Sequence, residues 1–145
     1  MRITIQDPLP GEDESAVISV RNVTERINRA VNLLKSPDDL TVYDEDNQIF
    51  MLPVGNVFYV ESVDLKTFVY AEKTVYKSRL KLYELEGLLT KSDFLRASKQ
   101  IVVNVRKIHS IAPIGGARFA AKLTNNETII ISRQFVSTLK ERFGL

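Results

Sequence analysis

The sequence predicts a mainly β chain with a few short helices, α+β overall, and three observations lead there. From Leu40 onward apolar residues come in short runs separated by turn-forming Pro, Gly, Asn and Asp, the punctuation of consecutive strands. In the last third Phe119, Ala121 and Leu123 alternate with Arg118, Ala120 and Lys122, which gives a strand one core face and one basic face. Helical spacing is confined to three short segments, over residues 23–34, 80–89 and after Ser132.

Taken in order, Ile3 and Ile5, then Val17 and Ser19, alternate enough for two short strands, with Pro8-Leu9-Pro10-Gly11 and the acidic run to Glu14 as the loop between. Asn22 and Glu25 have capping-pair spacing, and Val23, Ile27, Ala30, Val31 and Leu34 make one helical face, stopped by Ser36-Pro37. Leu40–Tyr43 and residues 49–52 flank the acidic turn Asp44-Glu45-Asp46-Asn47. Residues 57–60, 68–71 and 74–76 read as further strands, and Leu82, Leu85 and Leu89 as the buried side of a helix. Strands over 109–114, 118–123 and 128–132 are joined by Gly115-Gly116 and Asn125-Asn126, since Asn tolerates positive φ. A last helix lines up Phe135, Leu139 and Phe143.

Composition excludes several functions. The 145 residues include no cysteine, which removes disulfides, thiolate zinc sites and a thiol nucleophile. The single histidine, His109, lies in an apolar strand context with no second histidine to complete a metal site or a catalytic triad. Asp44, Glu45 and Asp46 lack the calcium-loop spacing. Gly115-Gly116 has no phosphate-loop pattern around it. The expectation is a protein that is not an enzyme, with no cofactor and no metal. The first residues contain no apolar signal segment, and no apolar run approaches a bilayer span, so a cytoplasmic protein without membrane insertion is expected.

Charge is unevenly spread. Residues 1–50 carry 5 basic and 10 acidic side chains, residues 51–90 carry 5 of each, and residues 91–145 carry 10 basic and 3 acidic. A basic third suits a polyanion, because Lys and Arg release counterions from phosphates. It equally suits strand edges kept soluble by charge, and charge alone does not separate the two. Arg96, Lys99, Arg133 and Gln134 are side-chain types that read base edges, with Ser98 as a short hydroxyl donor. No strand shows the paired aromatics of a base-stacking platform.

A series of motifs separates the alternatives. Phe58-Tyr59-Val60-Glu61-Ser62 is followed by Leu80-Lys81-Leu82-Tyr83-Glu84-Leu85-Glu86, then Phe94-Leu95-Arg96-Ala97-Ser98-Lys99 and Ile101-Val102-Val103-Asn104 with Ile108. Leu123-Thr124-Asn125-Asn126-Glu127, Ser132-Arg133 and a terminal helix close it. The ordered set, over residues 49–145, resembles the LytTR-type DNA-binding domain of bacterial transcription regulators. That resemblance implies short antiparallel sheets stacked into an elongated body with a small helix. It also implies a sequence-specific regulator that binds double-stranded DNA without a helix-turn-helix, its loops entering successive major grooves.

On the same resemblance three regions carry DNA contacts. Lys66 and Thr67 follow Glu61-Ser62 in a loop, at positions where the family often has a histidine. Arg96, Ser98 and Lys99 form the second group, and Lys99 stands where some members have asparagine, which favours a phosphate over an adenine. Arg133 and Gln134 form the third. Arg96 could instead pair with Asp93 or Glu127, and Asn104 suits buried backbone groups better than DNA. Residues 1–48 form a small β/α appendage, too short for the receiver domain that often accompanies this reader. Its apolar helical face suggests a homodimer contact, and dimers suit paired half-sites. The competing expectation is a protein–protein interaction module using β edges and the acidic appendage.

Overall fold

The computed structural model describes the chain except residues 13–14, 35–37 and 91–92. It divides into two compact units, Met1–Leu34 and Lys35–Leu145.

In the first unit one helix forms, α1 (Glu25–Leu34). Its N-cap is Thr24 rather than Asn22: Thr24 Oγ1 accepts from the Ile27 N–H at 3.3 Å, the third helical residue. Glu25 and Arg29, one turn apart, pair on the exposed face at 2.7 Å. The expected strands around Ile3–Ile5 and Val17–Ser19 do not form. Isolated alternating residues have no neighbouring ladder there to hold them extended. The helix stop at Ser36-Pro37 and part of the acidic loop lie outside the described residues.

The second unit is mostly β. It contains β1 (Asp39–Tyr43), β2 (Ile49–Pro53), β3 (Tyr59–Val63), β4 (Lys66–Tyr70), β5 (Val75–Ser78), α2 (Leu82–Leu89), β6 (Phe94–Arg96), β7 (Ile101–Asn104), β8 (Ile108–Ile114), β9 (Arg118–Leu123), β10 (Thr128–Ile131) and α3 (Val136–Arg142). The first seven strands make one antiparallel sheet in the order β2-β1-β5-β4-β3-β7-β6, and the last three make a meander, β10-β9-β8. Strand β1 therefore belongs to the large sheet, paired along its length with β2 and through Tyr43 with Lys77 of β5. The mostly β fold with small helices is the one the sequence predicts.

Around β3, β7 and β6 both faces of the large sheet are buried, and parity along each strand decides which core a residue joins. Val60, Val69, Phe94 and Val102 point to one face, where Leu82, Leu85 and Leu89 of α2 cover them. Their neighbours Tyr59, Leu95 and Val103 point to the other, against Ala121, Leu123, Ile129 and Ile131 of the meander and Val136 and Leu139 of α3. The short runs Val102-Val103 and Phe94-Leu95 are apolar at consecutive positions for this reason. The expected α3 residue Phe143 ends outside this core, 40% exposed, because Val136 and Leu139 already fill the inward face.

Polar groups within the large sheet have partners close by. Asn104 is 2% exposed; its Nδ2 donates to Val57 O at 2.8 Å and its Oδ1 accepts from Arg106 N at 3.0 Å. The Tyr59 and Tyr70 rings, cross-strand partners, stack at 4.2 Å. Tyr70 donates to Glu61 Oε1 at 3.0 Å. Burial, then this bond and the Glu61 charge, pushes the Tyr70 hydroxyl up to about 12. Burial and the bonded Glu127 carboxylate raise Tyr59 further still.

Candidate nucleic-acid interface

Antiparallel pairing brings five strand ends to one end of the large sheet: the C-termini of β5, β3 and β6 and the N-termini of β4 and β7. These strand ends and the loops that leave them hold the first two candidate groups.

Strands β3 and β4 are joined by Asp64-Leu65, with φ of 49° and 65°. Positive φ at both central residues is the two-residue hairpin turn whose twist matches its strands. Leu65 is fully exposed at the tip. The sequence places Lys66 and Thr67 in this loop, but both are strand residues, paired with Val63 and Ser62. Lys66 is exposed. Thr67 is only 6% exposed, since it shares the face of Val69 and is flanked by β3 and β5. It is a sheet residue lining a cleft, not a loop tip.

The second group lies on the turn between β6 and β7. Arg96 shares its strand face with Phe94, which is the α2 side, so its guanidinium meets α2 rather than solvent. Nη1 donates to Glu86 Oε2 at 2.9 Å, Nε to the Ser98 carbonyl at 2.6 Å, and Nη2 to the Lys99 carbonyl. The partner is neither Asp93 nor Glu127. Asp93 binds Arg106 at 2.5 Å and Arg142 at 2.9 Å. The expectation that Arg96 presents itself outward is thus revised, because its fork is spent on shaping the 97–100 turn. Ala97 and Ser98 close that turn onto Ile101 O at 2.9 and 3.3 Å, and Ser98 Oγ accepts from Gln100 N at 3.2 Å. Ser98 is half-buried, and Lys99 stands exposed at the apex.

The third group follows β10. Arg133 and Gln134 sit in a single 3-10 turn, Arg133–Phe135, and both are exposed.

Two backbone hydrogen bonds join these regions. Ser62 N donates to Gln100 O at 2.9 Å, which fixes the end of β3 to the 97–100 turn. Ser132 N donates to Ala97 O at 2.8 Å, which fixes the start of the Arg133 turn to the same loop from the other sheet. Lys66, Ser98, Lys99, Arg133 and Gln134 therefore occupy one connected surface.

Beside Lys66 is a cleft of about 350 Å³ lined by Tyr43, Asn47, Leu65, Thr67, Lys77, Ser78, Arg79, Leu80 and Lys81. Three further cations, Lys77, Arg79 and Lys81, stand outside the groups that the motifs mark. Their signal was the spacing Lys77, Arg79, Lys81, every second residue leaving a strand. His109 is exposed on β8, away from any such grouping of donors. Asp44 Oδ1 accepts from the Asp46 and Gln48 amides at 2.9 and 2.8 Å, so the acidic turn uses a carboxylate oxygen on its own backbone. Among the described residues no helix is long and apolar enough to cross a membrane.

Residues 47–144 match the family model of the LytTr DNA-binding domain. The chain is 30% identical over 121 residues to the transcriptional regulatory protein YpdB of Escherichia coli K12, covering 83% of this chain and 46% of the relative. It is 23% identical over 141 residues to the sensory transduction protein LytT of Enterococcus faecalis, covering 94% and 58%. The chain thus spans about half the length of these two relatives. An uncharacterized HTH-type transcriptional regulator of Staphylococcus aureus is 28% identical over 124 residues, covering 86% and 82%. A solved LytTr DNA-binding domain from Bacillus cereus superposes with a TM-score of 0.70 at 29% identity, over 75% of this chain and 99% of that one.

Proposed function

Because the chain belongs to the LytTR DNA-binding domain family, we propose that it is a sequence-specific regulator of transcription that reads double-stranded DNA with the connected loops of its large sheet. The Ser62–Gln100 and Ala97–Ser132 bonds carry this reading, since they hold three loops from two sheets as one surface. Arg133 and Gln134, exposed and on a short turn, read base edges, Arg toward guanine and Gln toward adenine. Lys66 and Lys99 take phosphates, and Ser98 supports the apex between them. Arg96 acts indirectly, by shaping the turn. The loops enter successive major grooves of one DNA face, and two copies engage paired half-sites.

Selection of bound duplexes from a random-sequence library tests the reading. The expected outcome is one enriched motif, bound with an affinity that falls steeply with salt. Recovery of duplexes without an enriched motif overturns it.

A further inference from the structure

We propose that the cleft between β1, β4 and β5 is a second phosphate-backbone site, which extends the protein's grip on DNA beyond the loops that read it. The inference rests on the functional reading above and adds a partner surface to it.

Four cations, Lys66, Lys77, Arg79 and Lys81, line the cleft, and no carboxylate does. All four are exposed, and among the described residues none forms an ion pair. Elsewhere in the domain three cations are paired, Arg96 with Glu86 and Arg106 and Arg142 with Asp93. A surface built only for solubility intersperses both signs, whereas cations gathered in a concavity focus a positive potential. The cleft is also built rather than incidental. The Arg79 guanidinium lies 4.2 Å from the centre of the Tyr43 ring, which fixes one wall. Register places Lys77 between Tyr43 of β1 and Phe68 of β4. Asn47, Thr67 and Ser78 add neutral hydrogen-bonding groups of the kind that hold phosphate oxygens.

Position selects the occupant. Lys66 belongs both to the cleft and to the reading surface, and β5 ends at the same end of the sheet as β3, β4, β6 and β7. A duplex lying along that end passes the 97–100 turn, the β3–β4 hairpin and then the cleft. The strand spacing of about 4.8 Å puts β1 about 10 Å beyond β4. At 3.4 Å per nucleotide that is roughly three base pairs of flanking DNA. Backbone contacts there add affinity without sequence preference.

The test is the salt dependence of binding by the full chain, using the selected motif with and without flanking base pairs. The triple substitution K77A/R79A/K81A is expected to flatten the log–log salt slope by about 0.9 for each lost phosphate contact. It should weaken binding to target and random duplex by the same factor, and trimming the flank on the cleft side should erase the difference from wild type. The milder K77Q/K81Q, which keeps Arg79 on Tyr43, should show the same effect in smaller measure and guards against misfolding. An unchanged salt slope in both variants overturns the proposal, as does an altered choice of base. Failure of the wild-type chain to select any motif instead removes the functional reading, and this site with it.

Discussion

Ser132 donates its backbone N–H to the carbonyl of Ala97, from the end of one sheet to a turn of the other, at 2.8 Å. Ala97 is fully buried beneath it. The bond links the Lys99 turn to the Arg133 turn independently of either side chain, so the proposed reading surface needs no ligand to align it. Preorganisation of this kind removes an ordering cost from binding.

Arg133→Ala and Gln134→Ala are each expected to lower affinity for the selected motif by about 1–3 kcal/mol and to relax choice at one base position. Random duplex should be bound nearly as before by Gln134→Ala. Fluorescence anisotropy against single-base variants checks both, and full discrimination in the double variant removes these residues from the site.

Arg96→Ala should reduce discrimination although its side chain faces α2. Glu86→Gln, far less able to touch DNA, should reproduce part of the loss, because the ion pair and the two carbonyl bonds act together on the 97–100 turn. The pair is about three-quarters buried on the Arg side, and its loss should also cost about 1 kcal/mol in urea unfolding. If Glu86→Gln binds like wild type while Arg96→Ala does not, Arg96 is a direct contact.

Asn104→Ala leaves the buried Val57 carbonyl, and the part-buried Arg106 amide, without this partner. Chemical denaturation should report a loss of about 1–3 kcal/mol. DNA affinity of the folded fraction should not change.

Alkaline stability should depend on Tyr70. Its folded pKa of about 12 lies above the ordinary tyrosine value of 10.0, so the protonated hydroxyl is favoured by folding. The contribution is complete below pH 10 and is lost as pH rises from there through about 12. Circular dichroism across that range should show wild type weakening, and Tyr70→Phe, starting less stable, should fall less steeply.

A homodimer formed through the appendage of residues 1–48, by way of residues 23–34, remains the expected assembly, with Val23 and Leu34 exposed on and beside α1. Sedimentation equilibrium with and without the selected duplex checks it. A monomer in both conditions rules the dimer out.

The strand pattern is legible because β6 and β7 are apolar on both faces and several turns, at residues 44–47, Gly115-Gly116 and Asn125-Asn126, carry Gly, Asn or Asp. Asn47 and Asn126 do sit at positive φ. The N-terminal strands were misread, since alternation at Ile3–Ile5 records a preference that only a neighbouring strand can realise. Arg133 and Gln134 stand exposed just after a strand end, where their motif places them. Arg96 and Thr67 were assigned an outward role because sequence fixes parity but not which helix covers a face. Glu86 lies ten positions before Arg96, a separation that no local rule connects. The Lys77–Lys81 row was overlooked because its cations gather only when β1 and β4 flank β5.

The bonds that align the loops run between main-chain atoms, at Ser62 to Gln100 and at Ser132 to Ala97. Every residue save proline offers the same N–H, and every residue offers the same C=O. Side chains at positions 66, 99, 133 and 134 are consequently free to drift without loosening the frame. Descendants of one ancestral scaffold could acquire new target sites by a handful of exchanges, and a library randomised at those four positions should remain folded almost throughout.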